Sequence, residues 1–174
     1  MSGSNNNSKM KVDYVIKRNG TKQEISFDKI LKRVKKLSEN LNVNPTRVTT
    51  EICSQIYPDV PTYQLDELGA QICASLATEH PDYAILAGNI TASNMQKNTC
   101  PSFTETMTKL YENKDMHGNK VNLISDETYK VICDHGPKLN TVIKYKRDFN
   151  LGFFSLKTLE KSYLFKINGK IVER

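Results

Sequence analysis

Several features that mark common protein classes are missing from this sequence of 174 residues. It contains no tryptophan, and no apolar run approaches the roughly 20 residues that a membrane-spanning helix needs. Its first ten residues are largely polar, so no secretory signal is expected there. The four cysteines form no C-x-x-C pair, which disfavours a zinc ribbon or a redox dithiol. We therefore expect a globular, cytoplasmic protein with reduced thiols and no bound metal.

Recognisable catalytic and phosphate-binding motifs are also missing. Neither G-x-G-x-x-G nor the lysine loop of P-loop proteins occurs, so a bound nucleotide would have to be held by side chains and hairpin backbone. The three histidines have no partner at metal-ligand spacing, and no serine lies in a nucleophile elbow. Asp66 with Glu67 fits a helix-end acidic pair better than a catalytic dyad. The residues alone predict no active site.

Basic residues outnumber acidic ones, 25 to 19, which gives a net charge of +6 and a pI near 9.1. This excess permits an anionic partner without naming one. The densest basic cluster is Lys32, Arg33, Lys35 and Lys36, on the polar side of a predicted helix, where a solvated face is the simpler interpretation. No zinc-finger spacing and no aromatic and basic RNA-binding signature accompanies it, so neither nucleic acid nor membrane is a predicted partner.

Residues 15–29 are the stretch around which the chain is organised. Two runs of alternating character flank Asn19-Gly20, a dipeptide preferred in type I′ turns, and predict a β-hairpin that feeds directly into an amphipathic helix. Lys17, Arg18 and Lys22 crowd the turn. A basic hairpin next to a helix suits a phosphate-bearing ligand, although cations at a hairpin are often only a solvated edge that prevents sheet pairing.

Capping residues and prolines divide the next part of the chain into four predicted helices. These begin at Ser26, Asn44-Pro45, Thr62 and Pro81, and the fourth runs to Lys97. Helices of this length with short breaks between them can bury their apolar stripes only against one another. We therefore predict an α+β, mainly α, fold. In it, residues 10–100 form a four-helix bundle capped by the small hairpin, after a disordered tail at residues 1–9.

The sequence pattern of residues 101–174 predicts a second part of the fold that is largely helical. Ser102 is in capping-box register with Glu105, and Ser125 caps another helix that Gly136-Pro137 should interrupt. Residues 155–165 have the pattern of one more helix, and Asn168-Gly169 predicts a second hairpin close to the last residue. We expect this part to be an incomplete domain.

Motifs spread along the chain resemble class I ribonucleotide reductase large subunits of the eukaryotic and viral kind. Four motifs resemble the ATP-cone of that family: K-R-N-G-x-x-x-x-I-S-F-D-K, T-Y-Q-L-D, H-P-D-Y-A-I-L-A and S-N-M-Q-K. Downstream, Y-K-R-D-F, F-F-S-L-K-T-L-E-K-S-Y-L and K-I-N-G-K-I-V-E-R resemble the segment that leads into the catalytic barrel of the family. The resemblance covers nearly all of residues 11–174.

The resemblance implies an allosteric activity site, at which ATP activates the reductase and dATP inhibits it by promoting inactive oligomers. It implies that Lys17, Arg18 and Lys97 lie near phosphates. Two further groups are implied: a segment enclosing the nucleotide, formed by Gln23, Glu24, Ile25, Ser26, Phe27, Asp28 and Lys29, and contacts from the third helix, Thr62 and Asp66. Since neighbours on a strand face opposite sides, either Lys17 or Arg18 would be structural unless the turn directs both inward.

The same resemblance implies effectors and partners rather than a cofactor of this chain. ATP and dATP are the expected ligands, with Mg²⁺ as a cation that could accompany their phosphates. In the family, the large subunit forms a dimer and a dATP-dependent higher oligomer, and it acts with a radical-bearing small subunit. Catalysis uses cysteines of the barrel, and none of the four cysteines here matches them. This stretch alone is therefore expected to convert no ribonucleotide to a deoxyribonucleotide.

Two departures from the family pattern keep alternatives open. Gly88-Asn89 stands where alanine-arginine is common, and Gln23 stands where an acid is often found. Discrimination between ATP and dATP could therefore differ. One alternative is an ATP-cone transcription repressor, but that design requires a zinc ribbon, and the missing C-x-x-C pairs argue against it. The other is an interaction module that has lost nucleotide binding, which calorimetry with ATP and dATP would separate from a regulatory site.

Overall fold

The computed structural model describes residues 14–174, so the predicted tail at residues 1–9 lies outside the described part. The strands are β1 (Tyr14–Ile16), β2 (Lys22–Glu24), β3 (Val60–Pro61), β4 (Lys166–Ile167) and β5 (Lys170–Ile171). The helices are α1 (Phe27–Leu37), α2 (Pro45–Ser54), α3 (Thr62–Ser75), α4 (Asp82–Asn98), α5 (Phe103–Tyr111), α6 (Asp126–Val142) and α7 (Phe153–Ser162). Short 3₁₀ helices lie at Leu76–Thr78 and Tyr145–Asn150. None of the helices in this range is long and apolar enough to cross a bilayer.

The first hairpin forms where it was predicted, but its turn is of another kind. β1 and β2 pair antiparallel. The Gly20 amide donates to the Lys17 carbonyl at 2.9 Å, and the Lys17 amide donates to the Thr21 carbonyl at 2.8 Å. Gly20 has a φ of +82°, whereas Asn19 stays out of the left-handed region and accepts hydrogen bonds from Thr21. The predicted type I′ turn is therefore wrong: the loop is a three-residue turn with a glycine bulge.

A third strand, β3, completes the first sheet and was not predicted. It lies parallel to β1, with Val60 opposite Val15, and the strand order is β2-β1-β3. Pro61, still extended with ψ at 137°, directly precedes α3. Thr62 is thus the first helical residue, and the prediction that it caps the helix is wrong. A strand of two residues is too short to show the alternation from which strands are predicted.

The main core lies between α1, α2, α3 and α4, as the four predicted apolar stripes require. Val34, Ile52 and Leu86 are all buried there, on α1, α2 and α4. α2 begins as predicted, because the Asn44 side chain accepts a hydrogen bond from the Arg47 amide at 3.1 Å. The mainly helical α+β fold of this part, with a small sheet at one side, is therefore confirmed.

The Cys73 thiol on α3 is part of the same core. Cys73 is fully buried, and burial raises the pKa of its thiol to about 12. At neutral pH the sulfur is protonated and behaves as a small apolar group.

α5 and α6 form a second helical pair, in which α6 continues through Gly136-Pro137. The predicted break is therefore wrong. A residue before proline normally leaves the helical region because its Cβ clashes with the proline ring, but Gly136 has no Cβ and stays helical. A Cβ on Gly136 would also lie 2.4 Å from the Cγ2 atom of Thr104 on α5. The glycine therefore serves both the helix and its packing. The Ser102 cap of α5 forms as predicted, accepting from the Glu105 amide at 3.3 Å.

The second hairpin, β4-β5, has the turn that its sequence predicts. Asn168 and Gly169 both have positive φ, at 50° and 75°, as a type I′ turn requires. Helix α7 precedes this hairpin and begins two residues earlier than expected.

Helix α4 is shared between the two parts of the chain. Besides its place in the main core, it packs Ala92 and Met95 against Leu156 of α7. A Cβ on Gly88 would lie 2.8 Å from the Leu151 carbonyl oxygen, so α4 and the segment before α7 are in close contact. The residues that follow position 100 therefore pack on the same helix as the bundle that precedes it.

Candidate functional site

A cavity of about 600 Å³ lies between the first hairpin and helices α1, α3 and α4, and we call it the hairpin cavity. Its volume is in the range of small-molecule sites. Several of its lining residues are apolar and buried: Val15, Val34, Ile52 and Ile90. Gly69 of α3 also lines it, at a point where a Cβ would lie 3.0 Å from the Cδ1 atom of Ile52. The cavity thus offers an apolar surface of the kind that a planar base or another apolar group would cover.

Charged side chains also line the hairpin cavity, and most of them are cationic. The cations are Lys17, Arg18, Lys29, Arg33 and Lys97, and the carboxylates are Glu24 and Asp66. The net charge of this set is +3. Within residues 14–174, Lys17 and Lys29 form no ion pair with a carboxylate. An excess of positive charge around a concave, partly apolar surface attracts an anionic ligand.

Asp66 lies at the centre of the polar network in this cavity. Only 8% of the residue is exposed, and Arg33 of α1 donates to it twice, from Nε to Oδ1 at 2.5 Å and from Nη2 to Oδ2 at 2.9 Å. Arg18 donates to Oδ2 at 3.4 Å, and the Lys97 ammonium lies 3.8 Å from the same oxygen. Cations from the hairpin turn, α1 and α4 therefore converge on one carboxylate of α3. Such partners are what a buried carboxylate needs.

Asp66 does not behave as the helix-end acid that the sequence suggested. It is the fifth residue of α3, past the first turn, where the effect of the helix dipole falls off. Its adjacent acid points to a different partner, because Glu67 accepts a hydrogen bond from Lys157 of α7 at 2.7 Å. The two acids are thus separate features rather than a pair.

The two neighbouring cations of the hairpin have different surroundings. Arg18 donates from Nε to the Asn98 side chain at 2.7 Å and from Nη2 to the Asn94 side chain at 2.5 Å. Asn94 in turn donates to the Tyr63 carbonyl at 3.1 Å. Arg18 therefore ties the tip of the hairpin to the last turns of α4. Lys17 lines the cavity without such partners among the described residues.

The pKa of Lys97 is lowered to about 8, chiefly by burial. Asp66 opposes this shift, and the nearby cations Arg33, Arg18 and Lys36 add to it. An anionic ligand beside this ammonium would favour its charged form. The charge of Lys97 is thus sensitive to pH near neutrality and to whatever binds in the cavity.

The hairpin cavity brings together most of the residues that the sequence predicted as a site. Phe27 and Asp28, the first two residues of α1, are exposed and do not line it. The ten predicted residues that do line it are Lys17, Arg18, Gln23, Glu24, Ile25, Ser26, Lys29, Thr62, Asp66 and Lys97. Of the two departures from the family pattern, only Gln23 is in the lining. Asn89 instead donates to the Leu37 carbonyl at 3.0 Å, at the end of α1.

Arg33 is the main lining residue that the sequence reasoning missed. The prediction that it lies on a solvated face is wrong, because its side chain is only 27% exposed and is hydrogen-bonded to α3. Its spacing of four from Lys29 puts the two cations on one face of α1, and this signal was present in the sequence. The other members of the basic cluster, Lys32, Lys35 and Lys36, are exposed as predicted.

Metal binding has no support from the geometry of the described residues. Between Tyr14 and Arg174, no group of three or more His, Cys, Asp or Glu side chains could hold a metal ion. In the hairpin cavity the carboxylate of Asp66 is hydrogen-bonded to two guanidinium groups.

Comparison with known proteins identifies the family. Residues 13–98, which contain the first sheet and helices α1 to α4, match the model of the ATP cone domain. Residues 13–98 of this chain are an ATP-cone domain. The hairpin cavity lies entirely within the matched residues of the ATP-cone.

Relatives extend the similarity beyond the ATP-cone. The chain is 48% identical over 163 residues to the ribonucleoside-diphosphate reductase large subunit of Plasmodium falciparum, covering 92% of this chain and 20% of the relative. The corresponding protein of Dictyostelium discoideum is 48% identical over 177 residues, covering 98% and 20%. That of Vaccinia virus is 46% identical over 165 residues, covering 92% and 21%. The predicted resemblance to the ATP-cone region of eukaryotic and viral large subunits is thereby confirmed. The chain spans about one fifth of the length of these relatives.

Proposed function

We propose that this ATP-cone is the allosteric activity site of a ribonucleoside-diphosphate reductase large subunit, with ATP and dATP bound in the hairpin cavity. The observation that carries the proposal is the convergence of five cations on a cavity with buried apolar walls. A nucleoside triphosphate needs both, because its phosphates pair with cations and its base buries apolar surface. The reductase context is supported by the names of the relatives, which match 92–98% of this chain.

Each group of lining residues has a role in this proposal. Lys17, Lys29 and Lys97 would hold the phosphates, since Lys17 and Lys29 lack ion-pair partners within residues 14–174. α1 starts directly after Ser26, which lines the cavity, and the amides at a helix N-terminus also favour an anion. The buried apolar walls would cover the base. Asp66 would face the ribose, because a carboxylate accepts hydrogen bonds and an ionised phosphate has none to donate.

Regulation follows from the same assignment. In the complete large subunit, ATP would activate and dATP would inhibit by favouring inactive oligomers of the large subunit. The small subunit would be the other protein partner, and Mg²⁺ would enter with the phosphates. Within this chain, α4 supplies Lys97 to the cavity and also packs on α7, which is one physical route from the site to the residues that follow it. The alternatives are a repressor, which the reductase relatives disfavour, and a cone that no longer binds nucleotide.

Calorimetry with the 174-residue chain tests the proposal. We expect saturable binding of ATP and of dATP that weakens as salt is added, because much of the attraction comes from exposed cations. At about 100 times its dissociation constant, either ligand should stabilise the fold by roughly 2.7 kcal/mol and raise the thermal midpoint. AMP is the matched control, since it has the same base and sugar with less charge, and it should bind more weakly. If millimolar ATP or dATP gave no heat of binding and no shift of the thermal midpoint, an interaction module that has lost nucleotide binding would be the better hypothesis.

Lys97 predicts that ATP binding depends on pH. In the free chain the pKa of Lys97 is about 8, and bound phosphates would raise it. At a pH between the pKa of the free form and that of the bound form, ATP binding is therefore accompanied by uptake of a proton. Affinity should therefore be highest below pH 8 and fall by about tenfold between pH 7 and pH 9. The terminal phosphate, with a pKa of about 6, is already ionised over this range. Lys97→Arg, which keeps its charge, should show a nearly flat profile. The same slope in parent and variant would show that Lys97 does not contact the nucleotide.

A further inference from the structure

We propose that Arg33 is a positioning residue that aims Asp66 at the ribose of a bound nucleotide and thereby sets the preference between ATP and dATP. The inference rests on the proposed nucleotide site and goes beyond it, because Arg33 belongs to neither the predicted site nor the family motifs. It concerns the part of the ligand in which the two effectors differ, the 2′-hydroxyl group.

Two of the three nitrogen atoms of the Arg33 guanidinium are hydrogen-bonded to the protein. Its Nε and Nη2 atoms bind the two oxygens of Asp66 at 2.5 and 2.9 Å, and Nη2 also lies 3.3 Å from the Ser93 hydroxyl. Arg33 thus joins α1 to α3 and α4. A two-pronged contact fixes both the place and the rotation of a carboxylate, which a single ammonium group cannot do.

Counting hydrogen-bond acceptors shows what Asp66 still has to offer. A carboxylate has about four acceptor positions. Arg33 takes two, Arg18 takes one at 3.4 Å, and the Lys97 ammonium, 3.8 Å away, is beyond hydrogen-bond distance. About one position is left, on a side chain that lines the hairpin cavity. This position can accept a hydrogen bond from a hydroxyl or amino group. On the sugar of a nucleotide, the groups that can donate one are the ribose hydroxyls.

The same contacts argue against Arg33 as a ligand of the phosphates. To turn its Nε and Nη2 donors to a phosphate, Arg33 would have to leave Asp66, whose residue is only 8% exposed, and a buried charge that loses its closest partner is strongly disfavoured. Only the Nη1 atom of Arg33 is left for a contact that keeps Asp66 in place. Lys17 and Lys29 can serve the phosphates without this loss. The arrangement therefore divides the cations into those that meet the ligand and one that orients the acceptor.

The test compares dissociation constants for ATP and dATP in the 174-residue chain. The variants are Asp66→Asn, Arg33→Lys, Arg33→Gln and the double variant Arg33→Gln/Asp66→Asn, with Lys35→Gln as an exposed cation control on the same helix. The ratio of the two constants is the readout, because loss of a charge changes both affinities together. Asp66→Asn should shift the ratio toward dATP by about three- to tenfold, since ATP loses a contact to a charged acceptor. Arg33→Lys and Arg33→Gln should shift it in the same direction, and the double variant should shift it no further than Asp66→Asn.

The expected loss in Arg33→Lys separates orientation from charge, because lysine keeps the charge without the fork. A parent ratio in Arg33→Lys would overturn the inference. So would an Arg33→Gln chain that binds ATP, dATP and inorganic tripolyphosphate more weakly by one common factor, since Arg33 would then be a phosphate ligand. Thermal unfolding checks each variant, and Arg33→Lys carries the test if Arg33→Gln does not fold. A parent chain that binds neither nucleotide would refute the proposed function itself, whereas normal binding with an unchanged ratio in every variant would refute only the role of Arg33.

Discussion

Replacing Leu86 by alanine is expected to lower the free energy of unfolding by about 2–5 kcal/mol, the usual range for a leucine removed from a packed core. Leu86 is fully buried in the first half of α4, within the main cluster that joins α1 to α4. The lost side chain gives up its transfer energy and leaves a void that the surrounding helices can close only in part. Urea unfolding of the 174-residue chain, followed by circular dichroism, measures the loss.

The adjacent residue provides a matched control. Ile85 is on the same helix and has the same number of side-chain carbons, but it is 49% exposed. Ile85→Ala should therefore cost less than about 1 kcal/mol. A similar loss in both variants would mean that helix propensity or the unfolded state, rather than burial in this core, governs the stability of α4.

The helices of the ATP-cone were predictable because their signals are local. Asn44 and Pro45 mark the start of α2 through a side-chain hydrogen bond and a fixed φ, and both act within one turn of the chain. The apolar stripe of α4 needs no knowledge of its partners, since 3.6-residue spacing alone puts Tyr83, Leu86 and Ile90 on one face, and all three are buried. Element type is thus readable wherever short-range chemistry decides it.

The two Asn-Gly turns show where local signals stop being sufficient. Asn168-Gly169 adopts the type I′ turn, whereas Asn19-Gly20 adopts a turn with a glycine bulge. The difference lies in long-range contacts, because Arg18 in the first turn is held by Asn94 and Asn98, more than 70 positions along the chain. The Asn-Gly dipeptide permits both turns. In the first hairpin, the contacts of Arg18 with α4 favour the turn with the glycine bulge.

The candidate site was predictable only through the family resemblance, and only in part. Composition and spacing located a basic hairpin but could not say which cations meet a ligand. Arg33 illustrates the reason: on α1 alone it is one more polar residue, and its partner Asp66 lies 33 positions away on α3. Pairing between side chains on different helices depends on how the helices pack, which a single sequence does not report.

The largest functional effect is expected from removing two of the cations proposed to hold phosphates. In the double variant Lys17→Gln/Lys97→Gln, affinity for ATP should fall by about 100-fold or more, because a hydrogen bond to a charged group contributes roughly 1.5–3 kcal/mol and each is lost. Affinity for AMP should fall much less, so the preference for the triphosphate should shrink. The dependence of ATP binding on salt should also flatten, since fewer charges meet. Arg18 is left intact because it ties the hairpin to α4.

Lys22→Gln is the control that separates a local effect from a change in net charge. Lys22 is on the same hairpin but pairs with Asp59 at 2.8 Å and does not line the hairpin cavity. It should change the affinity for ATP by no more than about twofold, because an exposed charge is well screened at physiological salt. If Lys22→Gln weakened ATP binding as much per charge as the double variant, or if AMP lost as much affinity as ATP, the phosphates would not lie beside Lys17 and Lys97. The cavity would then owe its affinity to the overall charge of +6, and the assignment of these two lysines would have to be withdrawn.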